Sequence, residues 1–506
     1  MNIKEAKEEI CHTLLAYHKK DEDGQYCFPL LRQRPILLMG PPGIGKTAIM
    51  EQVAAECGVG LVSYTITHHT RQSAIGLPLI RQREFDGVTM DVTEYTMSEI
   101  IASVYECMEQ TGKREGILFI DEINCVSETL APIMLQFLQN KTFGSHKVPE
   151  GWMIIAAGNP PEYNKSVREF DIVTLDRVRK IEISPDCEVW LEYAVRHQVH
   201  GVILSYLGLK PEDFYFVENR PDGKFFVTAR GWEDLSEILK SYEEAEIPVT
   251  EDLIRQYLQK EEVVRSFYVY YKLYCKYGMD YGIKEILNGE FSGKMYEARV
   301  SMACAGGFEE RFTVVNLILN YLYGQITRYA KIDGDVTKLH EELQQICKDG
   351  KTKSLCSCLE KAVKKKQEAF SVKKEKELFA AGEERRENWV RRKLEDYLLE
   401  LKQAHCDGEE QRSAYLKELF GKEVRIRKVL ADTILTQMEE AFQFVERCFG
   451  DGQEMVLLVS GLARNEEAVK FFCVHECDAF LSHSKVLLFK KQEKSLIEEC
   501  ETMLKQ

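Results

Sequence analysis

The stretch Gly40-Pro41-Pro42-Gly43-Ile44-Gly45-Lys46-Thr47 constrains this chain more than any other. It fits G-x-x-x-x-G-K-[ST] at every fixed position, between the aliphatic run 35–39 and a helical pattern. Glycines let successive backbone N–H groups curl around phosphates, where a side chain would collide with them. Lys46 supplies a point charge to the β- and γ-phosphates, and the Thr47 hydroxyl is a ligand for Mg²⁺. Ile49, Val53 and Cys57 recur at helical spacing and Gly58 stands where a helix would stop. The loop therefore opens a helix whose N-terminal dipole also favours an anion. Residues Gly40 to Thr47, with Ala48 behind them, form the expected phosphate cradle.

A strand-loop-helix unit of this kind belongs to a parallel sheet, and the first 185 residues repeat the pattern. Near-unbroken aliphatic runs at 35–39, 61–67, 117–120, 152–157 and 179–183 read as strands buried on both faces. A hairpin is expected across 214–227, where Pro221-Asp222-Gly223 separates two apolar triplets. From Thr250 onward the pattern is almost wholly helical. The tyrosine-rich run 265–281 carries basic residues that could stack with it on bases, but tyrosines at helical spacing read as core. Residues 361–403 mix charges around a sparse apolar stripe, which suits long solvated helices, with a coiled-coil hairpin broken near Gly382.

A second motif bears on the nucleotide. The apolar run 116–120 ends in Asp121-Glu122. In a phosphate-loop fold the first acid at such a strand end holds Mg²⁺ through water, and the second orients and deprotonates an attacking water. A third strand, 152–157, ends in Gly158-Asn159, whose amide is placed to hold that water or the γ-phosphate. ATP is the expected nucleotide. A guanine pocket lacks support, since Asn164-Lys165 has Val167 where an acid would be needed.

The net charge of −15 argues against indiscriminate binding to nucleic acid or anionic membrane. No apolar run approaches the roughly 20 residues needed to span a bilayer. The opening MNIKEAKEEI has no apolar signal region. The 16 cysteines are scattered, with Cys57, Cys107 and Cys304 among apolar neighbours, so a reducing cytoplasm is the expected location. Cys473-Val-His475-Glu-Cys477 and Cys356-Ser-Cys358 do not suit a metal, because i and i+2 positions on a helix diverge.

Taken together, GPPGIGKT, LFIDEIN (ending Ile123-Asn124), AAGNPPEYN, Thr174-Leu175-Asp176-Arg177 and Val227-Thr228-Ala229-Arg230 resemble the AAA+ ATPases, and within them the MoxR-like branch. The resemblance covers residues 34–241. It implies a three-layer α/β phosphate-loop core with a small helical lid, assembled as a ring, commonly a hexamer. It implies a Mg²⁺-dependent ATP hydrolase with Lys46 and Glu122 catalytic, Asn159 as sensor 1, Arg230 as sensor 2, and Asp121 with Thr47 at the metal. Arg177 is the finger reaching a neighbour's site, with Arg168 and Arg179 as competitors. The hairpin pattern across 81–95, turning at Asp86-Gly87, falls where this branch carries an insert facing the pore or partner, and His146-Lys147 falls at a second pore-side loop.

On this reading, residues 1–185 form the nucleotide domain, 186–248 the lid, 249–335 a helical domain and 336–506 a long-helix region acting as adaptor. The implied work is remodelling, activation or maturation of a protein partner, one carrying a von Willebrand factor A-type domain. The rivals are a nucleic-acid-linked motor and a nucleotide-gated scaffold with little turnover. The chain departs from the branch at Cys125, where Arg is usual, at Val178, where an aromatic is usual, and across His68 to Ser73. Arg71 or Arg114 is then expected to compensate between subunits.

Overall fold

Each aliphatic run read above is a strand of one sheet, and the alternation of side chains along it loads both faces. The computed structural model describes residues 1–68, 74–85, 88–143, 146–163, 167, 170–220, 223–349, 354–375, 383–404 and 408–484. The turns at Asp86-Gly87 and Pro221-Asp222, and Gly382, lie outside them. Two units divide the chain, Met1–Tyr270 and Tyr271–Gln506.

The first unit opens with α1 (Ile3–Tyr17), whose N-terminus is closed by reciprocal hydrogen bonds between Asn2 and Glu5. β1 (Ile36–Met39) leads through the glycine loop into α2 (Lys46–Glu56) and β2 (Gly60–Thr65). A hairpin of β3 (Pro78–Phe85) and β4 (Val88–Tyr95) precedes α3 (Glu99–Thr111) and β5 (Gly116–Asp121). Then come α4 (Ala131–Asn140), the short pair β6 (Thr142–Phe143) and β7 (His146–Lys147), and β8 (Trp152–Gly158). The helical turn α5 (Ile172–Leu175) leads to β9 (Arg179–Glu182).

The five-stranded sheet has the order β2-β5-β8-β1-β9, with every pair parallel. Ile36, Leu38, Ile117, Phe119, Ile155 and Ala157 pack with Ile10 and Leu14 of α1 and Met50 and Val53 of α2. Leu37, Leu118, Ile120, Ile154 and Ala156 pack on the other side with Ile100 and Val104 of α3 and Phe137 and Leu138 of α4. Neighbours in sequence thus feed opposite cores, which makes three layers. Gly116 keeps β5 close to the Trp152 indole: a Cβ there would lie 2.6 Å from the ring. The strand order inserts β8 between β1 and β5, so three strand ends stand side by side at one edge.

Helices follow: α6 (Cys187–Arg196) and α7 (Gly201–Leu209), the antiparallel pair β10 (Phe216–Arg220) and β11 (Gly223–Val227), α8 (Ala229–Glu244) and α9 (Glu251–Tyr257). The tyrosine-rich run lies in α10 (Glu261–Tyr281). Its Phe267 meets Tyr206 and Trp232 edge-on, and Tyr281 is fully buried, so aromatics of this run build core.

Among its described residues the second unit has helices and no strand. After α11 (Ile283–Leu287) and α12 (Gly293–Ala305) comes α13 (Phe308–Asp349), a 42-residue helix about 63 Å long. α14 (Leu355–Glu375), α15 (Glu383–Gln403), α16 (Glu409–Phe449), α17 (Gln453–Arg464) and α18 (Glu466–Val474) complete it. One core joins Ile318 and Leu322 of α13 to Ile434, Met438 and Phe442 of α16 and Leu458 of α17. Another joins Leu339 and Leu343 of α13 to Leu359 and Val363 of α14 and Val390, Leu394 and Tyr397 of α15. The charged stretch 361–403 therefore packs along a stripe, and it is clamped by ions as well. Asp335, 3% exposed, accepts two hydrogen bonds from Arg385 at 2.9 and 3.0 Å, and Lys366 lies between Glu342 and Glu387. Cys304, read as a packed thiol, is exposed at the end of α12, with its Sγ 3.2 Å from the Cys448 carbonyl.

Candidate functional site

The glycine turn after β1 needs left-handed backbone at Gly43 (φ 73°) and Gly45 (φ 90°). A Cβ on Gly43 would also press within 3.0 Å of the Thr228 side chain. Lys46 begins α2 with its side chain turned back under the loop. Its ammonium donates to the carbonyls of Gly40 (2.7 Å) and Pro41 (2.9 Å) and to Asn159 Oδ1 (2.8 Å). Burial pushes Lys46 down to about 8; Asp121 opposes that shift and Arg230 adds to it.

Asp121 is the last residue of β5. Its Oδ2 accepts from Thr47 Oγ1 at 2.9 Å and its Oδ1 from the Glu122 backbone N–H at 2.9 Å. A hydroxyl and a carboxylate side by side at a phosphate cradle are the hard oxygen donors that suit Mg²⁺. Glu122 follows with φ 57°, a left-handed conformation that costs a non-glycine residue on the order of 1 kcal/mol. Its Oε2 accepts from Thr67 Oγ1 at 3.1 Å. β2 and β5 put Thr65 opposite Asp121, which brings Thr67 to Glu122 two residues later.

Asn159 leaves the end of β8, between the phosphate loop and the acids. Its carbonyl accepts from Asn124 Nδ2 at 2.8 Å. Asn124 is 2% exposed, and a Cβ on Gly158 would come within 2.6 Å of its Oδ1. The motif's asparagine thus ties the acidic turn to the neighbouring strand end.

These groups surround one cavity of about 490 Å³. Pro42 to Ala48, Asp121, Glu122 and Asn159 line it, while Gly40 and Pro41 act from beneath, through the carbonyls that hold Lys46. Arg230 reaches the cavity from the first turn of α8, whose N-cap Thr228 accepts from Gly231 N–H at 3.2 Å. The Arg230 N–H donates to the Gly43 carbonyl at 3.3 Å, and Tyr215 O–H donates to Pro42 O at 2.9 Å, so the segment around β10 and α8 is bonded to the phosphate loop.

The opposite wall was not read from the sequence. Trp190, Tyr193 and His197 recur at helical spacing over α6 and its C-cap, and all three line the cavity. Tyr193 stacks on His197 at 3.9 Å between centroids, and Trp190 Nε1 donates to Glu233 at 3.2 Å. Burial raises the Glu233 carboxyl and pushes Tyr193 up to about 12.

Arg177 does not line this cavity; it is exposed and donates to Gln139 of α4. Arg179 is held on α1 by Glu9 at 2.5 Å and Thr13 at 2.7 Å. Arg114 is exposed and precedes β5, at the far end of that strand from Asp121. Val178 is buried against the sheet, and Cys125 N–H closes the acidic turn on the Glu122 carbonyl at 2.9 Å. Arg168, Arg71, the rest of the 69–73 segment and Asn164-Lys165 lie outside the described residues. His475 bonds with Tyr329 Oη at 2.8 Å, and among the described residues no group of three or more His, Cys, Asp or Glu side chains is placed to hold a metal. No described helix is long and apolar enough to cross a membrane.

Residues 36–175 match the family described as "ATPase family associated with various cellular activities (AAA)". The match runs from β1 through α5, takes in the phosphate loop, the acids and Asn159, and stops before Arg177 and Arg230. It spans roughly a quarter of the chain and implies ATPase activity in general terms. No curated protein matches the sequence.

Proposed function

From an AAA domain over residues 36–175, we propose a MoxR-like ATPase that hydrolyses ATP with Mg²⁺, acts as a ring oligomer, and uses the cycle to remodel, activate or mature a protein partner in the cytoplasm. The observation that carries this reading is the hydrogen-bonded chain across adjacent strand ends: Lys46 to Asn159, and Thr47 to Asp121 beside Glu122. On this reading Lys46 would be the cation for the γ-phosphate, Thr47 and Asp121 the donor pair for the metal, and Glu122 the base for water.

ATP would lie with its phosphates in the 40–47 loop and its base toward Trp190 and Tyr193. Lys46 exchanges part of its carbonyl partners for phosphate oxygens. Mg²⁺ held by Thr47 and Asp121 would neutralise charge on the β- and γ-oxygens. Glu122 takes a proton from the attacking water as its oxygen bonds to the γ-phosphorus and the bond to ADP breaks. Asn159 and Arg230 hold the γ-phosphoryl oxygens from within the chain. Arg177, exposed and outside its own cavity, would serve a neighbouring copy as its finger. A ring, with a hexamer as its common form, supplies that neighbour. A partner bearing a von Willebrand factor A-type domain is the branch's usual client.

The experiment is capture of the partner with the Glu122→Gln chain, which should hold ATP without hydrolysing it. Recovery of one protein, released by ADP, supports the proposal. Recovery of DNA or RNA, with salt-sensitive stimulation of ATP turnover, replaces it with a nucleic-acid motor.

A further inference from the structure

The β3–β4 hairpin stands apart from the sheet, and every residue of β3 is exposed. It nevertheless carries large apolar side chains: Ile80 is 72% exposed, Met90 52% and Phe85 50%. Apolar surface of that kind on an eight-residue arm marks a contact site. The pairing register then sorts its charges by face. Arg81 stands opposite Val92, Arg83 opposite Met90 and Leu79 opposite Glu94, so these six share one face. Gln82 stands opposite Asp91, Ile80 opposite Thr93 and Pro78 opposite Tyr95, with Glu84 opposite Thr89, so these share the other.

The first face holds two arginines against one acid, and Glu94 pairs with both of them. The second holds Glu84 and Asp91, and neither has an ion-pair partner among the described residues. The first face therefore carries Leu79, Met90 and Val92 with excess positive charge, and the second carries Ile80 and Tyr95 among polar residues with excess negative charge. Both lie on the same ladder and have the same length, so the two faces match in extent and are opposite in charge.

We propose that the occupant of this hairpin is the same hairpin of a second copy, with the Arg81/Arg83 face of one chain seated on the Glu84/Asp91 face of the next. Such a contact is heterologous, because each copy offers two different surfaces and can continue around a closed set. Its size limits what it does alone. Eight residues at about 3.3 Å and a width of roughly 10 Å give a face of about 260 Å², and two faces bury roughly 500 Å². A stable interface buries about 1,200–2,000 Å². The hairpins therefore reinforce a larger contact between copies, and the inference rests on the ring proposed above.

The test uses the full chain carrying Glu122→Gln with saturating ATP, in sedimentation velocity across protein concentration. Arg81→Glu with Arg83→Glu, and separately Glu84→Lys with Asp91→Lys, should each raise the concentration of half-assembly roughly tenfold. All four changes in one chain swap the faces, and assembly should return to within about threefold of the starting chain. That rescue separates pairing from misfolding, and ATP affinity should be unchanged in every variant. Reversals without effect on an assembling chain overturn the hairpin contact and leave the ring standing. Weakening that the combined chain does not repair also overturns it. A starting chain that stays monomeric at every concentration overturns the ring and this contact together.

Discussion

Lys46 is the group whose charge state the cavity controls most directly, and its effect on nucleotide affinity can be worked out. Burial lowers it to about 8 from the ordinary lysine value of 10.5. A phosphate chain against the ammonium favours the charged form, so bound Lys46 stays protonated well above pH 8. Below pH 8 the lysine is charged before and after binding. Above it, binding must take up a proton, and affinity falls by up to tenfold per pH unit. Between pH 7 and pH 9 a free-protein value of about 8 gives a loss of about tenfold, with about 0.9 proton taken up at pH 9. Titration calorimetry on the Glu122→Gln chain with Mg²⁺ and ATP, in buffers of different ionisation enthalpy, reads both quantities. Lys46→Arg, which stays charged throughout, should bind more weakly and lose the pH dependence. Wild-type affinity that is flat from pH 7 to 9, or an equal slope in Lys46→Arg, would refute the assignment.

Other consequences are open to measurement. Lys141, 2% exposed with its ammonium on the Leu30 carbonyl, is also pushed down to about 8 by burial. The unfolded chain then binds more protons between pH 8 and 10.5, so folding stability rises with pH across that window. In denaturant unfolding, Lys141→Met should remove about 2 kcal/mol of the rise between pH 8 and 10. Asn124→Ala should cut kcat about tenfold with ATP affinity within threefold, since it frees the Asn159 backbone without touching the phosphate loop. Arg177→Ala should keep nucleotide binding and lose about 10³-fold in hydrolysis, in steady-state assays, as finger arginines do. Arg179→Ala should retain hydrolysis and instead loosen α1, lowering the melting temperature; the opposite pattern moves the finger to Arg179.

What the sequence disclosed was whatever chemistry is written in consecutive residues. The glycine loop, the acids after β5 and the asparagine after β8 each sit on a strand end, and the aliphatic runs located those strands to within two residues. The β3–β4 hairpin was visible because period-two alternation flanked turn residues, and the β10–β11 pair because two apolar triplets flanked Pro221-Asp222-Gly223. The strand order was not visible, because it depends on which helix crosses which face. Thr67 was missed for the same reason: only the β2–β5 register brings it to Glu122. The Trp190, Tyr193 and His197 wall has an i, i+3, i+7 signal, but any amphipathic core helix shares it. Cys304 was misplaced because apolar neighbours in sequence say nothing of where a helix ends.

The most direct test of the account is single-turnover hydrolysis by wild type and Glu122→Gln, with ATP binding measured on the same samples. The expected result is unchanged binding and a loss of 10²-fold or more in the hydrolytic rate, the scale of a lost general base. Hydrolysis by Glu122→Gln at the wild-type rate would contradict the claim that this cavity splits ATP through Glu122.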